Sequence, residues 1–223
     1  MSIQVAVDPT NPGQFFACCG LLELADRRWR GAEGWFKGRE FCISCAGSLG
    51  ELISQLAQAH ICSTLSKAQL ERLGTLLSAA KAKLTATDLE EKIRLQGMWK
   101  AERLHLSAPF DLWLDWWRDE RGERTELKTW AAKQFVSEMA QNMLAIIKDS
   151  PWSQTPDPAK LFPTVHADTL PFNFDSDLSG QGAARDAGFS FDTLGFKCAF
   201  RPLLELLVFI GLQRCRPAAA TDD

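Results

Sequence analysis

Seven cysteines, three histidines and 28 acids are the raw material for catalysis or metal binding in this 223-residue chain, and few are spaced for it. Cys42-Ile-Ser-Cys45 has the two-residue gap that lets two thiolates grip one zinc, with Cys18, Cys19, Cys62, Cys198 and Cys215 available to complete a site. No second such pair exists. Thiols on strand-like alternation act as small hydrophobes, so neither metal nor redox chemistry is expected of Cys42 and Cys45. His166-Ala-Asp168 is the single suggestive histidine pair, in a loop without a second histidine or a nucleophile. Asp111 and Asp115 fall on one face of a predicted strand and could hold a metal, but Trp113 between them on that face favours core packing. Neither a phosphate-cradling glycine loop nor a dinucleotide fingerprint is present. The expectation is a non-catalytic protein with no cofactor and no metal.

Binding chemistry is better represented. Lys128-Thr-Trp-Ala-Ala-Lys-Gln134 crosses from a charged turn into a predicted helix whose first amides can receive an anion. Lys128, Thr129, Lys133 and Gln134 would hold phosphate or a base edge, glutamine suiting adenine and lysine suiting guanine or phosphate. The plain alternative is a helix start capped by Thr129 and anchored by Trp130. Arg185, in Ala184-Arg-Asp-Ala-Gly-Phe-Ser190, either pairs with Asp175 or Glu205 or projects at a phosphate. Net charge is -3, which excludes an all-over basic shell, so any nucleic-acid contact must be local. Two windows lean positive: residues 27–40, with Arg27, Arg28 and Arg30, and residues 193–217, with Lys197, Arg201, Arg214 and Arg216.

The elements that position these residues read as an α+β fold. Ile3-Gln-Val-Ala-Val7 alternates like a strand, and Asn11-Pro12 supplies an N-cap and a proline for a helix over 12–30. Phe15, Cys19, Leu22, Ala25 and Trp29 repeat at three and four and predict its buried face. Residues 34–38 and 40–45 predict a hairpin. Residues 49–103 read as a helical insertion in a single domain spanning 1–223, with capping boxes at Ser66-Lys-Ala-Gln69 and Thr87-Asp-Leu-Glu90 and a stripe of Leu70, Leu73, Leu77, Ala80 and Leu84. Residues 104–107 and 110–116 return to strand, 130–148 predict a helix, and Leu203–Leu212, apolar nearly all round, predicts a buried one. That last run is half the ~20 residues a bilayer span needs, so no membrane partner is expected. The odd cysteine count and an opening Met-Ser-Ile-Gln-Val without a signal pattern predict a reduced, cytoplasmic protein.

Several segments carry a family resemblance. Asp8-Pro-Thr-Asn-Pro-Gly-Gln-Phe-Phe-Ala17, Gly20-Leu-Leu-Glu-Leu-Ala-Asp26, Leu127-Lys-Thr-Trp-Ala131, the Arg185-Asp-x-Gly-Phe-Ser190 segment and Arg201-Pro-Leu-Leu-Glu205 resemble the Csb group of CRISPR-associated proteins of type I-U (I-G) systems. The resemblance implies a compact, large-subunit-like component of an RNA-guided surveillance complex, or Cascade, in antiviral defence. Its implied partners are the CRISPR guide RNA, target double-stranded DNA with its flanking motif, and the other CRISPR complex subunits, with cleavage left to a separate helicase-nuclease. The alternative is a small-subunit-like scaffold with little direct DNA readout, favoured by the polar helices of 66–103. A guide-RNA processing ribonuclease ranks third, because no histidine stands in a motif suited to acid or base work.

Overall fold

The computed structural model describes residues 2–118, 134–167, 172, 174 and 199–215. The α+β expectation holds: helices pack over small antiparallel sheets. β1 (Ser2–Ala6) alternates exposed and buried, sending Ile3 and Val5 inward. It pairs antiparallel with β3 (Glu40–Ser44), which pairs antiparallel with β2 (Glu33–Lys37) in the order β1-β3-β2. Gly38, at φ 61, opens the two-residue turn of the β2–β3 hairpin. A second sheet, β4 (Ile61–Ser63), β5 (Leu104–Leu106) and β6 (Leu112–Leu114), presses Ile61, Leu104, Leu106, Leu112 and Leu114 on the core. Its other face carries the cross-strand row Cys62, His105 and Trp113. β7 (His166–Ala167) pairs with β8 (Ala199–Phe200).

α1 (Pro12–Arg28) starts as its sequence predicts, the Asn11 side chain accepting from the amides of Gly13 (2.9 Å) and Gln14 (3.3 Å). Its buried face differs from the predicted stripe. Ala17, Cys18, Leu21, Leu24 and Ala25 are buried, whereas Phe15 is exposed and Cys19, Leu22 and Trp29 are half-buried. The cause lies in α6 (Pro202–Gly211), every residue of which is buried. Against such a helix, α1 turns its smallest surface. A Cβ on Gly20 would lie 2.0 Å from the Leu207 carbonyl oxygen, and one on Gly211 2.1 Å from that of Phe16, so the two backbones touch. Around α6, Phe172 stacks on Phe209 at 4.7 Å and Trp117 stacks on it at 5.7 Å.

α2 (Leu49–Gln58), capped by Ser48, contributes Leu49, Leu52, Ile53 and Leu56 to this main core. The segment with a core of its own is therefore shorter than 49–103. α3 (Lys67–Ser78) and α4 (Ala86–Lys100) form a hairpin in which Leu65, Leu70, Leu73, Leu76 and Leu95 cluster with Phe135. The capping box of α3 falls at Ser66 and Gln69 as predicted, but that of α4 forms two residues early. The Thr85 hydroxyl accepts from the Asp88 amide (3.1 Å) while the Asp88 carboxylate accepts from the Thr85 amide (3.0 Å), so Thr87 is already helical. The Thr85 hydroxyl, which donates to the Asp88 carboxylate at 2.7 Å, together with the Thr85 amide and Arg72 beside it, holds the Asp88 carboxyl below the ordinary carboxylate range. α3 ends at Ser78, so Ala80 and Leu84 lie beyond its stripe.

The described part of the predicted 130–148 helix is α5 (Val136–Asp149), which buries Val136, Met139, Met143 and Ile147. Just before β5, Glu102 is 2 % exposed, and burial pushes its carboxyl up although the Ser63 hydroxyl donates to it at 2.6 Å. Among the described residues, no helix is long and apolar enough to cross a membrane.

Candidate functional site

The outer face of the second sheet, the C-terminal half of α1 and the turn Leu212–Arg214 after α6 enclose a groove of about 430 Å³. Arg27, Arg103, Asp111, Trp113 and Gln213 line it, with Glu23 in its wall. The two positive windows meet here. Glu23, one turn ahead of Arg27 on α1, accepts from Arg27 Nε through Oε1 (2.9 Å) and forms an ion pair with Arg214 Nε through Oε2 (2.7 Å). Across the groove Arg103 donates Nε to the buried Asp115 (2.7 Å) and lays its guanidinium over the Trp113 ring at 4.3 Å. Gln213 donates Nε2 to the Trp113 carbonyl and to Asp115 Oδ1, fixing β6 against the end of α6.

This arrangement preorganises two guanidiniums. Glu23 and Asp115 hold the inner Nε of Arg27 and Arg103 and neutralise their charge at the base. Among the described residues the Arg103 terminal nitrogens make no hydrogen bond, and of the Arg27 terminal nitrogens only Nη1 does, to the Asp111 carbonyl at 3.4 Å. A fork fixed at its stem loses little side-chain entropy on taking a phosphate or the acceptor edge of guanine. Trp113, 43 % exposed, adds a flat surface. Charge alone does not make the groove attractive to anions, since Arg27, Arg103 and Arg214 face Glu23, Asp111 and Asp115.

His105 and Asp111 form a pair that sequence spacing does not reveal. His105 Nε2 lies 2.7 Å from Asp111 Oδ1, and the imidazole packs 4.9 Å from the Trp113 ring. Asp111 precedes β6 at φ 48, a left-handed conformation that costs a non-glycine residue energy and that aspartate tolerates better than most. The expectation that Asp111 and Asp115 share one face of a strand is corrected: both flank the strand, and one is exposed and serves His105 while the other is buried and serves Arg103. Trp113, predicted as core, faces the groove because β6 sends Leu112 and Leu114 inward instead.

The remaining sequence candidates disperse. Arg28 donates Nε to Gln55 on α2 (2.9 Å), with Glu51 at 3.6 Å. Arg30 is exposed beyond the end of α1. Gln134 is half-buried and precedes α5 rather than standing on it. Lys128, Thr129, Lys133, Arg185 and Arg216 lie outside the described residues, as do Lys197 and Asp168. Cys42 is buried in β3, and the Cys45 thiol donates to the Gly47 carbonyl (3.4 Å). Burial pushes both thiols of Cys18 and Cys19 up, in keeping with packing. No group of His, Cys, Asp and Glu among the described residues is arranged to hold a metal.

Comparison with family models, curated proteins and solved structures finds no match to this chain. Of its lining, only Arg27 was legible as a binding residue. Arg103, Trp113 and Gln213 come together from positions up to 110 apart, and only the alternation of residues 104–106 and 112–114 hinted that His105 and Trp113 share a face.

Proposed function

We propose that this chain is a non-catalytic, nucleic-acid-contacting subunit of a type I CRISPR RNA-guided DNA surveillance complex, and that its groove contacts the flanking-motif duplex of the target. The observation that carries this reading is the pair of stem-fixed guanidiniums, Arg27 on Glu23 and Arg103 on Asp115, opening on one groove beside Trp113. A subunit inside a ribonucleoprotein has its partners' field to concentrate nucleic acid. Its own task is discrimination, which forked donors perform on the acceptor edge of guanine and on phosphate. A charge-balanced groove in a chain of net charge -3 suits that division of labour.

The test is binding of the reconstituted complex, with and without this chain, to duplexes carrying a correct or scrambled flanking motif, at two salt concentrations. Arg103→Lys retains a cation for Asp115 but removes the fork, so it should abolish preference for the correct motif while the complex still assembles. Unchanged motif preference without the chain would reduce it to a scaffold.

A second reading has one observation in its favour. His105, oriented by Asp111 beside two arginines, has the parts of a metal-independent ribonuclease that processes guide RNA. Guide maturation lost in His105→Ala, with target binding retained, would decide for it.

A further inference from the structure

β2 stands at the edge of the first sheet, and all five of its residues are exposed. Its outer side has no strand partner among the described residues. In a hairpin closed by a two-residue turn, the pair beside the turn, here Lys37 and Glu40, is hydrogen-bonded. Alternation then directs the main-chain groups of Glu33, Trp35 and Lys37 at β3 and those of Gly34 and Phe36 outward. Edge strands are ordinarily blunted by proline, a bulge or like charge. β2 has Glu33 at one end, Lys37 at the other, and Trp35 (46 % exposed) and Phe36 (38 % exposed) between them. Neither Glu33 nor Lys37 forms an ion pair among the described residues.

We propose that β2 pairs antiparallel with β2 of a second copy of this chain, about a two-fold axis through Trp35. In that register Trp35 faces Trp35, Gly34 faces Phe36 and Glu33 faces Lys37 of the second copy, the last two relationships occurring twice by symmetry. The outward main-chain groups of Gly34 then meet those of Phe36. Trp35 and the Glu33–Lys37 pairs fall at the non-hydrogen-bonded positions, where cross-strand side chains approach most closely. The Phe36 rings stay on the other face, each stacked on Phe15 (5.7 Å) and packed on Phe41 (4.9 Å) of its own copy, so the seam rests on Trp35, the two charge pairs and the main-chain bonds. A register shifted by two residues either way sets Glu33 or Lys37 opposite Trp35 and leaves its charge unmatched. The strand is thus complementary to itself in one register. Single-stranded nucleic acid would use the same rings with Arg30 and Arg39, but Glu33 and Glu40 oppose it and it would leave the strand edge unused.

Sedimentation velocity of the full chain over a dilution series should show the mass rising from 24.8 kDa toward twice that value. Glu33→Lys alone, or Lys37→Glu alone, sets like charges opposite each other twice and should leave a monomer at every concentration. The double variant Glu33→Lys/Lys37→Glu should dimerise again, because each copy then offers the reversed pair. Trp35→Glu, which brings two carboxylates together at the axis, should also be monomeric, with far-UV circular dichroism unchanged in all four variants. A wild-type chain that stays monomeric throughout overturns the proposal. So do single charge variants that dimerise as well as wild type, or Trp35 fluorescence quenched by an oligonucleotide without any dimer.

Discussion

The crossing of α1 and α6 allows a test in which one substitution, glycine to alanine, has opposite signs at two helical sites. At Gly20 the added carbon would stand 2.0 Å from the Leu207 carbonyl oxygen and 2.8 Å from its carbonyl carbon. Non-bonded contact needs about 3.5 Å, so the helices must part by about 1.5 Å. Both obstructing atoms are backbone, and no rotamer change relieves them. Overpacking of this kind costs about 3 kcal/mol, the upper end of the usual range, against about 0.5–1 kcal/mol gained by replacing a helical glycine. The net loss is about 2–2.5 kcal/mol, equivalent to a Tm fall of roughly 4–10 °C at this chain length. Gly97, in exposed α4, has nothing within 4 Å of its Cβ position, so Gly97→Ala should keep only the gain and raise Tm by about 1–4 °C. Urea unfolding followed by tryptophan fluorescence, with calorimetry for Tm, reads both. A Gly20→Ala protein as stable as wild type would refute the close crossing. The double variant with Gly211→Ala supplies a further check: helices already parted by one methyl pay less for the second, so the losses should fall short of additive.

Glu102→Gln should flatten the pH dependence of stability. Its carboxyl is raised in the folded protein, so the native state holds the proton more tightly and stability falls as pH rises from the ordinary carboxylate value through the folded one. Thermal unfolding from acid to neutral pH should lose that downward slope in the variant, and an unchanged slope would rule out the desolvated Glu102 as its source. Asn11→Ala removes the acceptor for two α1 amides and should cost about 1–2 kcal/mol by urea unfolding. Trp113→Ala, at an exposed ring, should shift the unfolding midpoint little yet weaken target binding by the complex about 5- to 150-fold if a base stacks there.

What could be read in advance tracks the range of the interactions. The Asn11 cap, the Ser66 capping box, the 33–44 hairpin and the apolar α6 are set by residues within a turn or two, and each is where its pattern predicts. The α1 stripe was misread because periodicity favours the larger side chains at Phe15, Leu22 and Trp29. The face that meets α6 was chosen instead by Gly20 and Gly211, for which smallness is the advantage. The start of α4 was misread because Asp88 closes the box as well as glutamate does. The groove was the least legible feature, because its forks exist only once Glu23, Asp115 and Gln213 have been brought to them by the packing of α1, β6 and α6.

The separate cluster of α3 and α4 has a consequence for how the molecule opens. Its leucines touch one another and Phe135, while the main core closes without them through α2, β4 and β5. Amides of these two helices should therefore exchange with solvent through a shared sub-global opening that leaves α1 and α6 protected. Phe135, directly before α5, is the cluster's contact with the segment leading into α5. A ligand or partner that seats against α3 and α4 would register first in their exchange rates, long before it altered the unfolding of the whole.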